Sequence, residues 1–273
     1  MLVISCIKQV PDTTQVKIDP VTNTLIRDGI PFIINPYDSH ALEESLRLKD
    51  RYKGFNLRTV ALSMGPPNTV ATLRKACALG VDEAILLSDR CFGGADTLAT
   101  SKVLSAAIEL LDQDEKVGIV FCGKQTIDGD TAQTGPGIAS RLGFCQLTLV
   151  DRIDSLDFHR KTIKVRRKLE GRHEIVEAPL PVMITVVREL NRPRYPVVPM
   201  RLEAENREIK VWDNSVLKLD VQTIGLKGSP TWVSKIFSPE RDQGEIIGDG
   251  MNDPIGTARM LIGKLLDKDL LTV

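Results

Sequence analysis

Short apolar strands alternate with helix-like stretches over the first 145 residues, and this alternation is the strongest constraint on the fold. Buried strands are predicted for the β-branched runs at residues 2–10, 57–64, 83–88 and 117–123. Helices are predicted at residues 38–49, 67–79, 96–111 and 131–142. Asp38 is a suitable N-cap for the first helix, and Gly80 and Gly143 end the second and fourth. The pattern predicts an α/β fold with a mostly parallel sheet and flanking helices on both faces.

After residue 145, strand patterns follow one another without intervening helices. Antiparallel additions to the sheet are predicted at residues 146–157, 162–170 and 174–187. The next segment contains Pro193, Pro196 and Pro199, which forbid a regular helix and favour an extended loop.

The last part of the sequence is a loop-rich tail around one amphipathic helix at residues 254–267. We expect an α/β domain over residues 1–224. Residues 225–273 are expected to form a C-terminal arm that packs on another chain or domain. The alternative is a helix that folds back on its own sheet.

Charge and composition limit the classes of partner. The 273 residues contain 36 Lys plus Arg and 36 Asp plus Glu, so the net charge is zero with His neutral. A whole-surface basic field for nucleic acid is therefore excluded. The basic run at residues 160–172 has no interleaved aromatic residues, and its alternation with Ile163 and Val165 is typical of the wet face of a strand. Nucleic acid is not an expected partner.

Cysteine, histidine and hydropathy patterns bear on location and metal binding. The five cysteines form no CxxC pair, and the three histidines are far apart, so a disulfide framework is excluded and a histidine metal site is disfavoured. No apolar run is long enough to span a bilayer, and Lys8 interrupts the first apolar stretch too early for a secretion signal. We expect a cytoplasmic protein with no membrane insertion and no bound metal.

Residues 123–136 are the most informative segment and read Gly-Lys-Gln-Thr-Ile-Asp-Gly-Asp-Thr-Ala-Gln-Thr-Gly-Pro. The glycines let backbone approach a ligand, and hydroxyl and amide side chains lie where a helix begins, as in a phosphate cradle. The segment is neither a Walker A loop nor a GxGxxG fingerprint. Asp128 and Asp130 would repel a phosphate, so we assign them to ribose hydroxyls, to backbone N–H capping or to both. The alternative is a Gly-Asp turn before an ordinary capped helix.

A second glycine loop, Phe92-Gly-Gly-Ala-Asp-Thr97, precedes another predicted helix. It permits a pyrophosphate or second nucleotide contact, and it would serve equally well as a capped loop. Lys8 either neutralises phosphate or is a solvated surface lysine. The sequence has no GxSxG elbow, no Cys with a neighbouring His and no isolated carboxylate pair, so any chemistry is expected to be carried by a cofactor.

Four motifs carry a resemblance to a known family. They are Val3-Ile-Ser-Cys-Ile-Lys-Gln-Val-Pro-Asp12, Asn35-Pro-Tyr-Asp-Ser-His-Ala-Leu-Glu-Glu44, the segment 123–136 and Glu189-Leu-Asn-Arg-Pro-Arg-Tyr-Pro196. On these motifs, and along almost its whole length, the chain resembles the β subunit of electron transfer flavoproteins. The resemblance implies an α/β nucleotide-binding fold, a heterodimer with a larger α subunit that holds an electron-carrying FAD, and a nucleotide in the β subunit itself.

The resemblance extends to the electron-bifurcating type. In ordinary members the β-subunit nucleotide is a structural AMP, whereas in the bifurcating branch it is a second FAD that takes hydride from NADH. Residues 35–38, 90–97, 228–231 and 237–239 look like the bifurcating type, while the proline-rich stretch 192–199 looks more like the ordinary one.

The bifurcating resemblance implies a subunit of an NAD-linked flavin oxidoreductase complex, inactive alone, whose partners are the α subunit, a flavin-containing dehydrogenase and ferredoxin. The first alternative is a non-bifurcating β subunit that holds AMP. A nucleotide hydrolase or pyrophosphatase is disfavoured because no SGGxDS loop is present.

Carried over residue by residue, the resemblance implies nucleotide contacts by Cys6, Asn35, Pro36, Tyr37, Asp38, Met64, Gly123, Lys124, Gln125, Thr126, Ile127, Asp128, Gly129, Asp130, Thr131, Ala132, Gln133 and Thr134. Asp96 and Thr97 are added for the larger FAD. Residues 35–38 and 96–97 are expected to line the flavin ring or its ribityl chain, and residues 123–134 the adenosine and pyrophosphate. Leu190 is the expected apolar anchor of the loop that docks on the dehydrogenase. No side chain is expected to be catalytic.

Overall fold

A nine-stranded sheet organises the chain, whose residues 1–12, 31–234 and 244–271 are described by the computed structural model. The described strands are β1 (Leu2–Cys6), β2 (Gln9–Pro11), β3 (Phe32–Ile34), β4 (Arg58–Met64), β5 (Glu83–Leu87), β6 (Val117–Gly123), β7 (Cys145–Asp157), β8 (Thr162–Leu169), β9 (Arg172–Pro179), β10 (Val182–Val186) and β11 (Lys210–Trp212). The described α-helices are α1 (Pro36–Arg51), α2 (Val70–Leu79), α3 (Thr97–Asp114), α4 (Thr134–Leu142), α5 (Val198–Glu205), α6 (Asn214–Leu217) and α7 (Pro254–Asp267). The family-like residues 237–239 lie outside the described part.

The strand order is β11-β5-β4-β1-β6-β10-β7-β8-β9. All neighbours from β11 to β7 are parallel, and β8 and β9 add in antiparallel fashion. Strands β2 and β3 form a separate antiparallel pair. The predicted α/β class, with a mostly parallel sheet, flanking helices and antiparallel additions, is confirmed.

Both faces of the central parallel strands are buried, which explains why β1, β4, β5, β6 and β10 are continuous apolar runs. Along β1, Ile4 packs in one hydrophobic cluster and Val3 in another. The first cluster includes Ile108 of α3 and Ile138 of α4, and the second includes Leu48 of α1. Because side chains alternate across a strand, helices on opposite faces receive alternate residues. Because helices cover both faces, the ends of the parallel strands are the part of the sheet that a ligand can reach.

Local signals for helix ends are accurate at several positions. Gly80 and Gly143 follow α2 and α4 in the left-handed conformation, with φ of 112° and 66°. The side chain of Asp96 accepts a hydrogen bond from the Ala99 N–H at 3.0 Å, so it is the N-cap of α3. The capped-loop interpretation of the second glycine loop is therefore correct at its helix junction.

Three of the boundaries predicted for strands and loops are wrong. The strand expected at 2–10 ends at Cys6, and the chain then enters the small β2–β3 pair. The strand expected at 174–187 divides into β9 and β10 around Pro179 and Pro181, which have no N–H to donate to a ladder. β10 then inserts in parallel fashion between β6 and β7. The extended loop expected through Pro199 ends earlier, because proline is accepted in the first turn of α5.

The basic run on β8 lies among acidic partners. Arg166 binds the Asp151 carboxylate through two hydrogen bonds of 2.8 and 3.0 Å, and Asp151 is only 3% exposed. Lys168 pairs with Glu189, the first acidic residue of the short 3₁₀ helix Arg188–Leu190. The first pair joins β8 to β7, and the second joins β8 to the segment that follows β10.

The described residues form two compact units, 1–234 and 235–273. In the first unit, residues 225–231 contact the second glycine loop, and the Leu226 N–H donates to the Gly93 carbonyl at 3.0 Å. In the second, α7 begins at an Asp253 N-cap and exposes Ile255, Leu261 and Ile262. None of the described helices is long and apolar enough to cross a membrane.

Replacement of Ile108 by alanine is expected to lower the free energy of unfolding by about 2–5 kcal/mol, because this side chain is fully buried between α3 and the sheet. Glu109→Ala, at the exposed next position, is the matched control and is expected to change stability by less than about 0.5 kcal/mol. Urea unfolding of both variants measures the difference. Equal losses in the two variants would contradict the assignment of this helix face to the core.

Candidate functional site

The carboxyl ends of four parallel strands meet at one edge of the sheet. β1 ends at Cys6, β4 at Met64, β6 at Gly123 and β10 at Val186. From β1 the chain builds outward to β4 and β5 and later returns to add β6 on the other side of β1. In open α/β sheets ligands bind in the crevice at such a reversal of strand order. The predicted residues Cys6, Met64 and Gly123 all end strands at this edge.

Asn35 ties the start of α1 to the long loop after β6. Its Nδ2 donates to the Gln125 carbonyl at 2.9 Å, and its Oδ1 accepts from the Ile127 N–H at 3.2 Å. The side chain is fully buried, so both polar ends find partners in the protein. Asn35 therefore fixes the path of the loop, and Pro36 and Tyr37 continue directly from it into the helix.

Asp38 holds the ends of β1 and β6 together. Its carboxylate accepts from the Lys8 N–H at 2.7 Å and from the Gly123 N–H at 3.0 Å. The predicted N-cap role is wrong: α1 begins at Pro36, with Asn35 at the N-cap position, and Asp38 lies in the first turn. A Cβ added to Gly123 would lie 2.3 Å from the Asp38 carboxylate and 2.6 Å from the Tyr37 Cβ. This approach requires glycine at position 123.

Burial dominates the acidity of Asp38. Desolvation raises its pKa from 3.8 to about 7, while hydrogen bonds from Asn35, Lys8 and Gly123 and the charge of Lys8 act in the opposite direction. A second buried pair lies beside it. The Cys6 and Cys122 side chains hydrogen-bond to each other, and this contact, with burial, raises the pKa of Cys122. The Cys122 thiol is therefore protonated near neutral pH.

The loop after β6 has the form of an anion cradle. Asp130 and Ala132 adopt positive φ of 52° and 55°. α4 then begins at Thr134 with Gln133 at the N-cap position, so the helix start expected at Thr131 is wrong by three residues. Among the described residues, no acceptor binds the backbone N–H groups of residues 131–135. Free N–H donors at a helix N-terminus favour an anionic ligand.

The two acidic side chains of the cradle are already bound by polar neighbours. Lys8 donates to both oxygens of Asp128, the shorter distance being 2.8 Å, and Gln125 donates to Asp130 at 2.7 Å. Among the described residues neither carboxylate accepts a backbone N–H, so of the two roles expected for them the capping role is wrong. Lys8 neutralises Asp128 and leaves less negative charge near the free N–H groups. The Thr126 carbonyl accepts a hydrogen bond from the Asp130 N–H at 3.0 Å, and this bond closes the turn that contains Gly129.

The second glycine loop reaches the same cradle through Thr97, whose hydroxyl donates to Gln133 at 2.9 Å. Asp96 is occupied differently. Besides capping α3, it accepts from the Thr231 hydroxyl at 2.8 Å, and its own N–H donates to the Ser229 hydroxyl at 2.8 Å. Burial opposes ionisation, but the hydrogen bonds from Ala99 and Thr231 prevail and lower the pKa of Asp96. Sequence reasoning noted the 228–231 motif without assigning Ser229 or Thr231 to the site.

Leu190 lies away from these groups. Its side chain is half-buried and packs on the hydrophobic cluster that contains Phe121 and Ile184. The apolar side chains exposed in the same region are Tyr195, Val197 and Val198. Within the described ranges, no cluster of three or more His, Cys, Asp or Glu side chains could hold a metal ion.

The substitution Asp38→Asn is expected to remove one pH-dependent contribution to the free energy of unfolding. Because the folded-state pKa is raised to about 7, the native state keeps a proton that the unfolded state has lost between about pH 4 and 7. The contribution of Asp38 to stability therefore falls as pH rises through this window. Urea unfolding at pH 5, 6, 7 and 8 should show the stability of the wild type decreasing relative to Asp38→Asn. Asp114→Asn, on an exposed carboxylate, is the control. Parallel curves for wild type and Asp38→Asn would contradict the shift.

Comparison with known proteins agrees with this architecture. The electron transfer flavoprotein domain matches residues 22–217. The chain is 48% identical over 263 residues to Protein FixA of Azotobacter vinelandii, covering 95% of this chain and 92% of the relative. It is 46% identical over 269 residues to the electron transfer flavoprotein subunit beta of Clostridium acetobutylicum, covering 98% and 99%.

A third relative is named for a larger assembly. The caffeyl-CoA reductase-Etf complex subunit CarD of Acetobacterium woodii is 42% identical over 273 residues, covering 99% of this chain and 100% of the relative. The resemblance drawn from the four sequence motifs is thus confirmed by matches along the whole chain. This chain belongs to the electron transfer flavoprotein family, among its β subunits.

Proposed function

We propose that the chain holds an FAD at the cradle and serves a complex that exchanges hydride with NAD(H) and splits or merges electrons between a partner flavin dehydrogenase and ferredoxin. The observation that carries this proposal is the Thr97–Gln133 hydrogen bond, which brings the N-termini of α3 and α4 to one edge. The free N–H donors at the start of α4 suit a phosphate group, and the start of α3 lies beside them where the rest of a dinucleotide would extend.

The donor set of the crevice fits an adenine dinucleotide. Residues 131–135 offer backbone N–H groups to phosphate, and Thr131 and Thr134 add hydroxyls. The lining residues Asn35 and Asp38 are held by backbone contacts and keep the crevice in shape. A bound flavin supplies exchange of an electron pair with nicotinamide and of single electrons with other centres. The protein supplies binding, orientation and the exclusion of water.

A structural AMP is the second candidate, and the contacts of Asp96 favour it. The Asp96 carboxylate is occupied by Ala99 and Thr231, so it is less available to the flavin end of a dinucleotide. AMP needs only the cradle after β6. In that case redox chemistry would belong to the α subunit alone.

The partners in this proposal are the α subunit, a flavin-containing dehydrogenase and ferredoxin. The name of the Acetobacterium woodii relative places that protein in a reductase complex, which supports a dehydrogenase-type partner for this chain. The arm at 225–273 is proposed to contact the α subunit, since Ile255, Leu261 and Ile262 expose apolar surface that another chain could cover. A cytoplasmic location belongs to the same proposal, supported by five free cysteines.

For the dehydrogenase we propose the loop around Leu190 together with the segment that follows it. Leu190 packs on the chain's own core, so it sets the base of the loop. Tyr195, Val197 and Val198 are exposed and offer the apolar area that a docking partner would bury.

Glutamate at position 134 is expected to lower nucleotide affinity about tenfold or more, because it adds a negative charge at the first residue of α4. The αβ complex is purified, its nucleotides are released, and FAD and AMP are counted. Ser140→Glu, at an exposed position near the end of the same helix, is the control and should retain full content.

The same count on the wild-type complex separates the two candidates. Two FAD per heterodimer would support the bifurcating function, and one FAD with one AMP would establish the alternative. Full nucleotide content in Thr134→Glu would overturn the cradle assignment.

Aspartate at position 198 is expected to raise the KM for the dehydrogenase partner about tenfold with little change in kcat, because a charge would replace an exposed apolar contact. Leu190→Ala is the comparison. Its main expected effect is to lower the free energy of unfolding of the chain, by about 2 kcal/mol. Steady-state electron transfer and urea unfolding measure the two effects. An unchanged KM for Val198→Asp would remove this segment from the docking surface.

A further inference from the structure

Two loops leave neighbouring strands at the same level. One is the cradle loop after β6, and the other is the loop at residues 187–195 after β10, here called the partner-facing loop. Val186, the last residue of β10, pairs with Gly123, the last residue of β6. The Lys124 N–H then donates to the Val186 carbonyl at 2.9 Å. The first residues of both loops are therefore joined by backbone before the loops diverge.

Tyr37 lies between these two loops. Its Cβ is packed so closely on Gly123 that a Cβ there would be 2.6 Å away. On its other side, the Arg188 guanidinium carbon lies 4.9 Å from the centre of the Tyr37 ring, within the range of a cation–π contact. Arg188 begins the 3₁₀ helix that carries Leu190. One aromatic side chain thus contacts the start of the cradle and the start of the partner-facing loop.

The far end of the 3₁₀ helix is fixed on the same helix α1. Asn191 is 9% exposed, and its Nδ2 donates to the His40 carbonyl and to the Glu44 carboxylate, both at 2.9 Å. Its Oδ1 is 3.0 Å from the His40 Nδ1. The segment 188–191 is therefore held at both ends by α1, whose first turn supplies Tyr37 and Asp38 to the crevice.

We propose that Arg188 is a positioning residue that couples nucleotide occupancy of the cradle to order in the partner-facing loop, residues 187–195. A nucleotide that fixes Gly123 and the first turn of α1 would fix the Tyr37 ring, and Arg188 would transmit that order to the loop. The inference rests on the proposed function, since it needs a nucleotide at the cradle. It adds a route by which the loaded subunit presents a better-ordered surface to its dehydrogenase than the empty one.

Hydrogen–deuterium exchange of the αβ complex tests the coupling, with peptides over residues 187–195 followed in the loaded and nucleotide-stripped states. Stripping the wild-type complex should raise amide exchange in this loop at least about fivefold, and reloading with AMP or FAD should reverse the rise. In Arg188→Met the loop should exchange fast in both states. Arg188→Lys keeps a cation for the ring and should restore part of the nucleotide response.

Arg192→Met is the matched control, because Arg192 is an exposed basic residue in the same loop, and it should respond like the wild type. Equal exchange in the loaded and stripped wild type, or a wild-type response in Arg188→Met, would overturn the coupling. Nucleotide content is measured on each sample. A complex without nucleotide would instead refute the proposed function, so the two failures are distinguishable.

Discussion

One buried carboxylate joins the two central strands on which the candidate site is built. Asp38 accepts the N–H of Lys8, just after β1, and the N–H of Gly123, at the end of β6. Parallel neighbours have no hairpin to hold their ends together, so a side chain from the intervening helix does this instead. The arrangement also explains the glycine, because any side chain at position 123 would displace the carboxylate. This contact holds the ends of β1 and β6 against the first turn of α1.

The cradle is made suitable for an anion by polar partners that bind its two carboxylates, rather than by an excess of positive charge. Asp128 and Asp130 would disfavour a phosphate, yet each is bound by a neighbour, Lys8 or Gln125. Exposed pairs of this kind add little stability. Their effect is to orient the carboxylates and leave the N–H groups at the start of α4 as the available donors. An acidic loop can in this way serve an anionic ligand.

Local chemistry predicted much of the fold, and long-range pairing accounts for most of what it missed. Gly80, Gly143 and the Asp96 cap were predictable because each acts within one turn of its helix. The start of α1 was misplaced because Asp38 has the composition of a cap but uses its carboxylate on two strands. The parallel insertion of β10 between β6 and β7 depends on pairing with β6, about 60 residues earlier in the chain, which no local pattern reveals.

The sequence predicted which segments of the candidate site would meet, but it did not predict which atoms would bind one another. Residues 123–134 and 35–38 do meet, but the hydrogen bonds of Asn35 to Gln125 and Ile127 could not be derived from periodicity. The Asp128–Lys8 pair spans 120 positions and was equally hidden. Glycine and threonine content predicted a cradle, whereas the partners of each carboxylate required the tertiary structure.

Asp96, the N-cap of α3, is held by the hydroxyls of Ser229 and Thr231. The cap of α3 therefore depends on two segments that are far apart in the sequence. Gly225 fits against the Cys91 carbonyl so tightly that a Cβ would lie 2.0 Å from that oxygen. Change in either segment alone would leave donors unmatched or backbones in collision. A substitution in one segment therefore requires a matching substitution in the other. We expect divergence between β subunits at this place to come as paired replacements rather than single ones.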